Sequence, residues 1–152
     1  MHRILTRHAA VLLIVAGSLM QAEAFAAEPA EVKTALKAKV AALMPLVAAG
    51  KYDTLLQQVG MTADPNRTEY DALREQVSRL SDIGGKYVDF EVVGYKALGT
   101  RYQTVYAMAY FQKLPVLFEF GFYYVNGDWQ PLRLKVDLNF QSLLDTLPLE
   151  RP

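Results

Sequence analysis

From Lys86 to Phe140, runs of alternating residues are broken at Gly99-Thr100, Lys113-Leu114-Pro115 and Asn126-Gly127-Asp128. Side chains alternate faces along a strand, so this pattern predicts four antiparallel strands in sequence order, a meander. A turn at Gly99-Thr100 pairs Val92 with Ala107, Phe90 with Ala109 and Val88 with Phe111 on one face. It puts Tyr95 with Thr104, Val93 with Tyr106, Glu91 with Met108 and Asp89 with Tyr110 on the other. A turn at Lys113-Leu114 sets Phe111 against Val116, Ala109 against Phe118, Ala107 against Phe120 and Val105 against Phe122, small beside large.

The last turn offers two registers. A strict two-residue loop sets Phe120 against Arg133 and Phe118 against Lys135, and a one-residue slip exchanges the faces. A three-residue loop with Gly127 in a left-handed bulge sets Phe122 against Leu132, Phe120 against Leu134, Phe118 against Val136, Val116 against Leu138 and Glu119 against Lys135. The second register is preferred because it keeps one face apolar. That face carries Val88, Phe90, Val92, Phe118, Phe120, Phe122, Leu132, Leu134 and Val136. The other mixes Tyr95, Tyr106, Met108, Tyr110, Tyr123 and Trp129 with Asp89, Glu91, Glu119, Arg133, Lys135 and Asp137.

The apolar face needs a cover, and the residues before it supply helices. Val32, Leu36, Val40, Leu43 and Val47 recur at helical spacing within residues 31–49. Pro45 is expected to kink that helix or end it near Leu43, and Gly50 suits its C-cap. Residues 52–59 read as a short second helix with Tyr52, Leu55, Leu56 and Val59 inward. A polar loop with Pro65-Asn66 leads to a third helix, from a capping-box-like Thr68/Asp71 pair to about Asp82, with Tyr70, Leu73, Val77 and Leu80 on one face. Residues 142–147 suggest a last helical turn before Pro148.

Helix, short helix, helix and long meander resemble the layout of the NTF2-like (cystatin-like) α+β cone. Three segments carry the resemblance: Ala48-Ala49-Gly50-Lys51-Tyr52-Asp53-Thr54-Leu55-Leu56, Gly85-Lys86-Tyr87, and Tyr124-Val125-Asn126-Gly127-Asp128-Trp129-Gln130-Pro131-Leu132. The resemblance implies a curved four-stranded antiparallel sheet wrapped round N-terminal helices, a pocket at the wide end, and frequent dimers. Function in that superfamily is diverse, so the fold alone names no activity.

Composition narrows the chemistry. Arg3 and Arg7 precede an apolar run, Ala9 to Met20, and Ala24-Phe25-Ala26 offers a small-x-small cleavage pattern. Residues 1–26 therefore read as a bacterial secretory signal peptide, and residues 27–152 as one domain of a periplasmic or secreted protein without a membrane anchor. Without Arg3, Arg7 and Glu23, the 16 basic and 16 acidic residues become 14 and 15. That near-balance gives nucleic acid no electrostatic basis for binding. The chain has no Cys, and both histidines, His2 and His8, lie in the expected signal peptide. His/Cys metal sites, Ser-His-Asp and Cys-His catalysis are thereby excluded from the mature chain, and no cofactor is implied.

Two surfaces remain as candidate sites. A cone lined by Tyr52, Tyr70, Arg74, Phe90, Phe118, Phe120, Phe122 and Leu134 would hold an apolar small molecule; packed core is the competing account of the same residues. Tyr95, Tyr106, Met108, Tyr110, Tyr123 and Arg133 on the second face are residue types enriched at interfaces and suggest a homodimer, against which stands a cover by the chain's own tail, residues 141–152. The functional expectation is an exported, non-catalytic NTF2-like binding domain. The alternative is a His-independent isomerase-like or hydrolase-like enzyme using a helix-borne carboxylate, Asp53 or Asp71, with a Tyr.

Overall fold

The computed structural model describes residues 29–61 and 68–139. The expected signal peptide and the last helical turn at 142–147 lie outside them. Three helices and a one-turn segment precede the sheet: α1 (Pro29–Ala48), α2 (Tyr52–Gln58), α3 (Thr68–Ser78) and α4 (Leu80–Gly84). Four strands follow, β1 (Tyr87–Ala97), β2 (Tyr102–Phe111), β3 (Pro115–Val125) and β4 (Asp128–Asp137). They form an antiparallel sheet in the order β1-β2-β3-β4, so the α+β class and the meander stand as expected.

Two helical details differ from expectation. Helix α1 runs through Pro45 to Ala48. Pro45 faces solvent, where its ring and the unpaired carbonyl one turn back meet water, while Leu36, Val40, Leu43, Met44 and Val47 bury the opposite side. The third helix breaks at Arg79 into α3 and α4.

One core fills the space between helices and sheet. Leu36, Leu55, Leu56, Leu80 and the three phenylalanines of β3, Phe118, Phe120 and Phe122, are all fully buried in it. The rings stack along the strand, with centroids 6.1 Å apart for Phe118–Phe120 and 6.4 Å for Phe120–Phe122. Polar ties pin the helices to the sheet: Lys39 to Asp128 at 2.7 Å, the Gln76 amide donating to the Val136 carbonyl at 2.9 Å, and the Tyr95 hydroxyl donating to the Lys33 carbonyl at 3.3 Å.

The register keeps the central pairs and corrects the ends. Phe90–Ala109, Val92–Ala107 and Glu91–Met108 pair as expected. Irregularities between Tyr87 and Asp89 and between Val92 and Gly94 exchange the faces beyond them. Val88 is consequently 63% exposed, and Tyr87 meets Phe111 edge-on at 5.7 Å. Tyr95 turns inward and is buried in the core. Between β2 and β3 the pairs shift by two residues, to Ala109–Val116, Ala107–Phe118 and Val105–Phe120; an even shift preserves the faces. Small still lies beside large.

At the last turn the two-residue loop wins. Val125 pairs with Asp128, and Asn126 and Gly127 both have positive φ (52° and 81°), the type I′ geometry that matches strand twist. The slip is repaired farther along, by an irregularity between Gly121 and Phe122 at which Phe122 faces Pro131 and Gly121 faces Arg133. Pro131 has no N–H to give the ladder, which favours a bulge there. Leu132 is the extra residue and is exposed, contrary to the expected Phe122–Leu132 pair. Trp129 sits on the tip side of the bulge and so turns inward, 5.2 Å from Tyr124. Glu119 and Lys135 pair as expected, at 3.1 Å.

Candidate functional site

A cleft lies between α2 and α3. The chain turns at Gly50, and Gly50-Lys51-Tyr52-Asp53-Thr54 form one wall. The other is one face of α3, where Asp71, Arg74, Glu75 and Ser78 fall at spacings of three and four. The cleft holds about 640 Å³ and is open to solvent. Across it the Arg74 guanidinium grips the Asp53 carboxylate with Nε at 2.7 Å and a second nitrogen at 3.2 Å, a two-pronged arrangement that fixes both side chains.

The electrostatics of the cleft follow from that pair. The hydrogen bonds from Arg74 hold the Asp53 carboxyl below the usual aspartate range, and the same bonds raise the Arg74 guanidinium. Glu75 is taken up by Arg79 at 2.6 Å, and the Ser78 hydroxyl donates to the Glu75 carbonyl at 2.8 Å. Lys51 and Asp71 make none of the ion pairs among the described residues. Tyr52 is buried with its ring in the core, and burial raises its hydroxyl.

The eight residues expected to line one apolar pocket are thereby divided. Tyr52 and Arg74 reach the cleft. Tyr70, Phe118, Phe120, Phe122 and Leu134 are core residues, and Phe90 is half-buried against them. The division has a simple cause: the rings of β3 pack on one another and on the helices, so the space a ligand would take is occupied by protein. Sequence reasoning named Asp53 and Asp71 only as alternative catalytic carboxylates and did not group them with Lys51, Glu75 and Ser78. Helical spacing placed the α3 residues together, but only the packing of α2 against α3 opposed them to Lys51 and Asp53.

The expected interface residues divide as well. Tyr95 faces the helices. Tyr106 and Met108 are on the outer face but buried, while Tyr110, Tyr123 and Arg133 are exposed there. The Tyr102 hydroxyl lies where a Cβ on Gly121 would go, so that glycine leaves no depression in the outer face. Tyr106 pairs with Glu119, and Glu91 is hydrogen-bonded by the Tyr110 hydroxyl.

Among the described residues no three His, Cys, Asp or Glu side chains gather to hold a metal, no polar or charged residue is buried, and no helix is long and apolar enough to cross a membrane. No family model matches the chain, and no curated protein or solved structure matches it either.

Proposed function

We propose that this chain is an exported, non-catalytic binding domain with an NTF2-like arrangement of helices on a curved sheet, taking a small polar molecule in the α2–α3 cleft. One observation carries the choice of binding over catalysis. The carboxylate best placed for acid–base work, Asp53, is clamped by Arg74 in an open, wet cleft and held below the usual range. A general base gains from a raised, desolvated carboxyl, and a depressed one is a poor proton acceptor at neutral pH. The isomerase-like alternative would need an acid buried beside a Tyr, and the acids of the cleft are exposed. Lys51 and Asp71, of opposite charge and without ion pairs among the described residues, suit a ligand bearing both charges.

An apolar ligand in the cone would have to displace the stacked phenylalanines, which makes the cleft the better site. Native mass spectrometry of protein recovered from the periplasm of its own host tests the proposal. The expected spectrum shows added small-molecule mass on the wild type and none on Arg74→Ala. Bare protein mass in both would sink it.

A further inference from the structure

On the sheet face turned away from the helices, three side chains are as buried as the core. Tyr106 is 4% exposed, Met108 6% and Leu117 0%, yet none of them belongs to the inner cluster. Tyr110 and Tyr123 on the same face keep 36% and 39%. Those two show what a tyrosine here retains when its shield is mainly its strand neighbours. The buried helical residues cluster with the inner face, and the Glu119–Lys135 pair flanks the patch on one side. No described element lies across it.

We propose that this outer patch is a docking surface for the chain's own C-terminal segment, residues 140–152. Strand β4 ends beside the patch: Asp137 pairs with Leu117, and Leu117 with Met108. Neighbouring strands lie about 4.8 Å apart, so β2 is roughly 10 Å from β4. Three or four extended residues span that gap, at about 3.3 Å each, and 13 follow Asn139. The segment carries Phe140, Leu143, Leu144, Leu147 and Leu149, the apolar side chains that a patch of Leu, Met and Tyr ring would take. The other end of the chain is poorly placed, because Tyr95 bonds the first turns of α1 on the inner face. A second copy of the chain is the weaker occupant: three residues are few for a stable interface of about 800 Å² per partner.

The absence of Cys makes a clean test. Met108→Cys introduces a single thiol, and its rate of reaction with a soluble maleimide reports the cover. In the full chain the thiol should react slowly. Ending the chain at Asn139, or replacing Leu143 and Leu144 by Asp in the full-length chain, should raise the rate by about tenfold or more. Val92→Cys on the inner face should stay slow throughout, which separates lost cover from lost fold. Fast labelling of Met108→Cys in the intact chain would overturn the proposal. So would a rate that neither change raises, or a slow rate that rises on dilution of a dimer, which would make a second copy the cover.

Discussion

Phe120 stands in the middle of three stacked rings and is fully buried. Cutting it to alanine removes its contacts and leaves a void between its neighbours. Phe120→Ala is therefore expected to cost about 3–5 kcal/mol in urea unfolding, and a loss below about 1 kcal/mol would mean the ring is not core. Asp53 is the opposite kind of residue, exposed and electrostatic. Its folded pKa is depressed by Arg74, so the pair's contribution is present above the unfolded-state pKa and is lost as pH falls through the lower folded value. Exposure keeps that contribution small, but the titration itself is readable. In Arg74→Ala, the Asp53 midpoint followed by NMR should rise toward the ordinary aspartate range; an unmoved midpoint would show that the guanidinium does not hold it. The two residues also differ in how readable they were. Phe120 announces itself by period two, whereas Asp53 and Arg74, 21 positions apart, carry no local sign of their pairing.

At the scale of the element, existence and type were legible and the irregularities were not. The four strands and three helices follow from spacing, because burial of one face imposes a period on the residues that form it. The bulges follow from nothing local. Hydrophobic alternation required an odd residue somewhere between Phe122 and Leu134, and the preferred three-residue loop put it at the turn. The structure puts it at Leu132, beside a proline that cannot donate, and leaves the turn as Asn126-Gly127 with two positive φ values. Trp129 lies between the two possible positions, so its face depends on which is right. Deleting Leu132 should keep both flanking pairs, Phe122–Pro131 and Gly121–Arg133, and with them the side of every residue. The single tryptophan should then be blue-shifted both before and after the deletion; a wild-type emission like that of a solvated indole would place the extra residue at the turn. The bulge near Val93 acts in the same way on Tyr95, moving it from a supposed interface to the core.

For the whole molecule, the sequence by itself determined the class of the fold, the order of the strands, the apolar identity of the inner sheet face and the want of His and Cys chemistry after the first residues. These are consequences of period and composition, which every residue carries with it. The tertiary structure alone decided which residues share a site. It filled the space between helices and sheet with phenylalanines, opened a polar cleft where α2 meets α3, and buried Tyr106, Met108 and Leu117 on the outer sheet face. The physical reason is that alternation reports only which of two sides a residue takes. Whether that side is packed, open or covered depends on what another part of the chain brings to it.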